Sequence, residues 1–382
     1  MSDKKPKDYE LLHNRRMVRY RSQINRVYDA AIRDFENLCR SIDYKPGKPF
    51  SLKDYPLAAK QLKSLINKLR SDLSDVIVTA VKKEWQLGAE KHEDLAAQML
   101  GSLAPELLTL QQNLYGEASS RALKAFQTRR SDGLRLSDRV WNYSRQFKNE
   151  IELTLATGLV EGRSAQELSR DLKTYLKYPD KLFRRVRDAE GNLQLSKAAK
   201  EFHPGRGVYR SSHKNALRLA ATETNIAYRT SDYTCMQQEN FTLGIRIELS
   251  NNHTCNGKPF VDICDDLQGD YPKDFKWTGW HPNCRCHLIA ITYTLEEFMI
   301  YQRRKIKGLP TDDIGATRRI TDVPEQFKRW EEANRDRLSS AKSLPYFVRD
   351  NEKYFKEMLI TRSAASGVSE AKALNDYLAP TS

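Results

Sequence analysis

Between Gly279 and His287 the chain gathers two cysteines, Cys284 and Cys286, and two histidines, His281 and His287. Two further cysteines, Cys255 and Cys264, precede them across a turn-rich segment. A structural zinc ion takes four soft ligands held tetrahedrally, commonly as two pairs from separate turns. Cys284 and Cys286 form a C-x-C pair, tighter than the usual C-x₂-C knuckle, and His281 lies three residues before Cys284. Cys264 and Cys255 complete a candidate ligand set, with His253 and His287 as substitutes. The spacing matches no standard zinc finger. Three readings therefore stand: one structural zinc ion, a metal-free packed knot, or a disulfide.

Catalysis has a weaker basis. A zinc deaminase needs H-x-E with P-C-x-x-C, the glutamate moving protons. Here Pro282 and Asn283 follow His281, and the two cysteines are one residue too close. A Cys284 nucleophile needs a positioned histidine and an orienting group. His281 or His287 could serve, but no oxyanion hole is legible, and neither a P-loop nor G-x-G-x-x-G occurs. Asp262, Asp265, Asp266 and Asp270 read as turn-solvating acids rather than a hard-cation site. The expectation is a protein that is not an enzyme.

Outside the cluster, Glu223 and Asn225 sit mid-helix beside Arg229. Buried polar groups of this kind cost several kcal/mol, roughly 2–7, unless they are hydrogen-bonded. They are either buried anchors facing the cluster loop or exposed residues without fixed partners. Cys39 and Cys235 fall in helical text and read as buried thiols.

The elements that must position these residues are mostly helices. Tyr20, Ile24, Tyr28, Ile32 and Phe35 recur at helical spacing, predicting a helix from Asp8 to about Ser41. Tyr44 to Phe50 breaks it. Leu62, Ile66, Leu69, Leu73, Ile77 and Val81 mark a second helix over 57–92, with others over 105–126 and 141–159. Ser164 and Glu167 form a capping box opening a helix to Leu176. A Gly191-Asn192 turn predicts a small hairpin, 203–207 a loop, and 207–239 a long helix. Alternation over 243–249 and 287–293 predicts two strands bracketing the cluster. Helices over 295–307 and 324–340 follow, separated by a linker over 309–323, with further pieces beyond Asn351.

Across 382 residues, 39% are hydrophobic and 30% charged, and 64 basic against 50 acidic residues give +14. This excess favours a polyanion or an acidic protein surface as partner. No run of about 18 apolar residues occurs, so no transmembrane helix and no membrane partner is expected. The charged start lacks the apolar core of a signal peptide. Six cysteines fall below disulfide-scaffold density, consistent with a reducing compartment.

Three stretches resemble the phage Mu protein F-like minor head proteins, or head morphogenesis proteins, of tailed phages. Arg218 to Arg229 resembles the family's A-x-T-E-x-x-x-A helix, which includes Glu223 and Asn225. Asp262 to Gly269 resembles its C-x-x-L-x-G element. His281, Pro282, Cys284, Arg285 and Cys286 match its H-P-x-C-R-C signature. Gly158 to Ser164 resembles the preceding turn. Together these cover roughly residues 140–293. One departure concerns metal: the family often has C-x-x-C before the L-x-G stretch, whereas Cys264 stands alone there.

The resemblance implies a structural component of the virion head interior at the portal vertex, assembled in the host cytoplasm. It would contact portal protein, capsid proteins or scaffold, and packaged DNA without sequence preference, in head morphogenesis and DNA packaging or ejection. The expected architecture is mainly α: an elongated helical bundle or antenna over 1–137, a small α+β Cys/His-knotted module over 138–294, and a helical docking arm over 295–382. Trp330, Tyr346, Phe347 and Tyr354 are candidate anchors in that arm. The alternatives are a zinc-stabilised nucleic-acid-binding protein outside a virion, or a Cys/His hydrolase or toxin.

Overall fold

In the computed structural model the chain is mainly helical, with a small three-stranded sheet and a Cys/His cluster. It describes residues 7–45, 50–101, 105–131, 133–159, 161–179, 185–187, 189–191, 193–195, 205, 207–250, 254–255, 258–341 and 343–365. His253 and parts of the 44–50 and 203–207 loops lie outside these, as do residues 1–6 and 366–382. No helix among the described residues is long and apolar enough to cross a membrane.

Helices α1 (Tyr9–Arg40), α2 (Pro56–Leu100), α3 (Pro105–Thr128), α4 (Leu136–Gly158) and α5 (Ala165–Lys177) come first. A hairpin of β1 (Arg185–Arg187) and β2 (Leu193–Leu195) and the long α6 (Ser212–Gln237) follow. Next are β3 (Thr242–Glu248), the pair β4 (Thr254–Cys255) and β5 (Lys258–Pro259), α7 (Ile263–Leu267), β6 (Gly269–Tyr271) and β7 (His287–Thr292). The chain ends in α8 (Leu295–Ile306), α9 (Glu325–Ser339), α10 (Tyr346–Arg349) and α11 (Lys356–Ala365).

Contacts group the chain into two units that alternate along the sequence. One comprises 1–10, 84–125 and 225–382; the other comprises 11–83 and 126–224.

In the unit built on 11–83 and 126–224, α1 and α2 run antiparallel. Lys68 bonds Asp34 at 2.9 Å and Ser41 bonds Gln61 at 2.8 Å. The predicted apolar stripe of α1 is buried, with Ile24 and Phe35 fully inaccessible. Tyr28 packs edge-on against Phe147 of α4 at 5.4 Å. The predicted capping box at Ser164 forms, with Glu167 returning a bond to the Ser164 backbone at 2.8 Å. Glu150 of α4 does a similar service for α6: its carboxylate accepts from the Ser212 amide at 2.8 Å and the Ser212 hydroxyl at 2.5 Å. Burial pushes its pKa up to about 8, and these hydrogen bonds work against that rise.

The other unit is organised by the antiparallel sheet β6-β3-β7. Only one residue of β3 is exposed, Arg246, because the strand is central and covered by side chains on both faces. Ile245 and Ile247 enter a core with Tyr271, Phe275, Trp277, Trp280 and the thiols, against which α9–α11 pack. Leu243 enters a second core with Met99, Leu100, Tyr115, Phe241 and Phe298. The proposed arm anchors are used inside this unit: Phe347 meets Trp280 at 5.2 Å and Trp330 at 5.6 Å, and Tyr354 donates to Asp274.

Candidate metal centre

Two short elements bring the cluster together. Cys264 lies in the first turn of α7, whose N-cap Asp262 accepts from the Cys264 amide at 2.8 Å. Asp265 closes a capping box by accepting from the Asp262 amide at 2.8 Å. The acids read as turn-solvating are thus partly helix caps, and Asp270 pairs with Arg246. The second element is the turn from Gly279 to Cys286. Asn283 adopts φ +66°, the left-handed region that asparagine tolerates better than most residues. This lets the Cys284 amide reach back to the His281 carbonyl at 3.1 Å.

Cys264 Sγ lies 3.1 Å from His281 Nε2 and 3.8 Å from Cys284 Sγ. The ligand atoms of Cys264, His281 and Cys284 all fall within 4.8 Å of one another, a group able to hold a metal ion. The thiols are free, and a disulfide requires sulfurs about 2.05 Å apart. A zinc–sulfur bond of about 2.3 Å gives a tetrahedral edge of about 3.8 Å, which the Cys264–Cys284 separation matches. The buried Cys286 thiol lies outside this group of three but is close enough to influence the ionisation of both Cys264 and Cys284. All three thiols are buried, while the His281 side chain is about a third exposed.

The histidine is oriented for ligation. Its Nδ1 lies 2.8 Å from the Pro282 carbonyl, which can only accept. A neutral ring therefore carries its proton on Nδ1 and turns the Nε2 lone pair toward the thiols, the arrangement a ligating histidine needs. Asp262 Oδ2 also stands 3.2 Å from Nε2, so carboxylate and thiol converge where a cation sits most favourably.

Cys284 is the thiol of the three whose pKa is lowered. Hydrogen bonds from Cys264 and Cys286, with the nearby Arg229 guanidinium, hold its pKa well below the ordinary thiol value despite burial. Cys264 is pushed up by its bonds to Cys284 and Cys286 and by desolvation. Cys286 reaches about 12: its contact with Cys264 lowers it, but its contact with Cys284 and its burial outweigh that.

Arg229 of α6 ties the turn down. It donates to the carbonyls of Cys284 at 2.9 Å, Cys286 at 2.8 Å and Thr278 at 3.2 Å, with its guanidinium 4.3 Å from the Trp277 ring centre. Asn225 adds a bond to the Cys284 carbonyl at 3.4 Å. Gly279, at φ +110°, is required here because a methyl group would overlap the Arg229 guanidinium.

The remaining sequence-predicted residues divide. Cys255 is in β4, but its side chain is outside the described residues. His287 stands opposite Glu248 in the β3–β7 register and lies 3.4 Å from its carboxylate. Arg285 is exposed. Gly269 begins β6 at φ +145°, where a side chain would meet Gln326. Glu223 is buried, but its partners are Arg129 at 2.7 Å and Arg139 at 2.8 Å rather than the cluster loop. Cys39 and Cys235 are buried, and burial pushes both thiols up.

Sequence reasoning misses a second buried constellation. His92 lies between Asp232 and Glu239, 2.5 Å from each, while Lys91 bonds Asp232 at 3.1 Å and Tyr115 bonds Glu239 at 2.9 Å. Burial works against the imidazolium, yet the two carboxylates raise its pKa to about 9. The sequence signal is charge on two helices and in the turn after α6, at positions that prove to face inward.

Comparison of the chain with protein-family models, with curated proteins and with solved structures finds no match.

Proposed function

We propose that this chain is a structural minor head protein of a tailed phage, acting at the portal vertex in head morphogenesis and DNA packaging or ejection. Its cluster is a structural zinc clasp formed by Cys264, His281, Cys284 and Cys286. The observation that carries the reading is the closure of the H-P-N-C-R-C turn around Cys264, with every thiol buried. Three thiolates and one imidazole fill a tetrahedron, leaving no position for a substrate, as structural rather than catalytic zinc requires. The His281 nitrogen that faces the Cys264 thiol also faces the Asp262 carboxylate, a convergence of donors that suits a shared cation better than a lone thiol nucleophile. Two of the motifs that resemble the head morphogenesis family, around Cys264 and from His281 to Cys286, are thus the ones that would build this clasp.

Two measurements test the proposal. Purified particles are expected to contain the chain at a steady low copy number with portal protein, and its absence from particles would sink the head assignment. Elemental analysis of the isolated chain is expected to find about one zinc, lost in Cys284→Ser. A native protein free of metal would overturn the clasp.

A further inference from the structure

Helix α1 carries seven arginines and no lysine. Arg19, Arg26, Arg33 and Arg40 follow one another at intervals of seven, and Arg15 precedes them by four. At 3.6 residues per turn these five fall in a stripe about 60° wide and about 37 Å long. All five are exposed, and the stripe lies opposite the buried face of Ile24, Ala31 and Phe35. Of the acids flanking it, Asp29 is engaged by Lys173 and Asp34 by Lys68, while Glu36 takes Arg40 at the end of the stripe and leaves Arg15, Arg19, Arg26 and Arg33 for a ligand.

We infer that this arginine stripe is a docking surface for the phosphate backbone of double-stranded nucleic acid, read without regard to sequence. Arginine alone was placed here, and its planar fork matches phosphate oxygens in a way that lysine's point charge does not. A seven-residue interval also suits a coiled coil, but a coiled coil needs an apolar seam beside its charges. The exposed residues interspersed with these arginines include Asn14, Ser22, Asn25 and Asn37; the exposed apolar pair Leu11 and Val18 is seven apart, but Asn25 stands at the next such position, so no seam runs along the stripe. Charge and hydrogen-bonding capacity without that seam fit a polyanion better than an acidic helix. The inference rests on the head-protein reading only for the identity of the duplex as packaged DNA; binding itself is measured independently of particles.

The test uses the full chain and a 30-base-pair duplex of arbitrary sequence, with affinity followed by fluorescence anisotropy over a salt series. Each phosphate contact contributes roughly −0.9 to the slope of log affinity against log salt. Substituting Arg19→Gln, Arg26→Gln and Arg33→Gln together is expected to flatten the slope by about 3. The exposed control triple Arg303→Gln, Lys305→Gln and Lys307→Gln is expected to leave it unchanged. As a second readout on the unmodified chain, duplex is expected to protect these α1 arginines from phenylglyoxal. An unchanged slope in the α1 triple, equal flattening in the control, or capture of an acidic heptad peptide without duplex binding would each overturn the proposal.

Discussion

Gly279 shows how narrowly the cluster is specified at single residues. Its φ of +110° and the guanidinium against its α-carbon leave no room for a side chain. Gly279→Ala is expected to destabilise the fold by about 2 kcal/mol or more, from backbone strain and displacement of Arg229 together. Urea unfolding of the isolated chain measures this. His92 gives a second prediction. Its pKa is raised from 6.5 to about 9, so its ion pairs stabilise fully below pH 6.5, and that stability is lost as pH rises through 9. A loss on the order of 3 kcal/mol across that window is expected, and His92→Gln should be weaker at pH 6 and show no such decline. The cysteines and His281 were legible as a group because soft ligands are rare and were close in sequence. Asp232 and Glu239 were not, since a charged residue on a helix, or in the turn just past its end, gives no sign in one sequence of whether it is buried.

At the scale of elements, the periodic helices and the bracketing strands were readable because each is set by local spacing. The predicted helix over 57–92 runs on to Leu100, where Ala96, Met99 and Leu100 meet β3 and α8 residues far away in sequence. Tertiary burial extended it beyond what its own pattern required. The same distance hid the partners of Glu223, which are arginines some ninety residues upstream. Helices α9–α11 depend most directly on the cluster, since Val323, Phe327, Phe347 and Phe355 share a core with its three thiols. Structural zinc contributes about 10–16 kcal/mol to small domains. If the proposed zinc is bound, chelation should therefore release these helices before the core of the unit built on 11–83 and 126–224. Hydrogen exchange is expected to accelerate across 325–365 while protection of α1 persists; a uniform change would count against a clasp acting on the arm.

For the whole molecule, the +14 charge was visible from composition, but that five arginines share one exposed face of α1 required knowing which side of that helix is buried. Under the proposed head-protein reading that charge would face packaged DNA, and the salt series decides whether it touches phosphate. The interleaving of the two units bears on how the chain is made. Synthesis proceeds from the N-terminus at about 5–20 residues per second. Residues 84–125 thus emerge roughly 10–40 s before the last of their counterparts, since Met99, Leu100 and Tyr115 share a core with residues as distant as Phe298 and Ile314. Over that interval a ribosome-bound nascent chain presents apolar helix surface with nothing to cover it. Truncation after Thr224 makes that exposure permanent, and light scattering should find such a fragment aggregated where the complete chain stays dispersed.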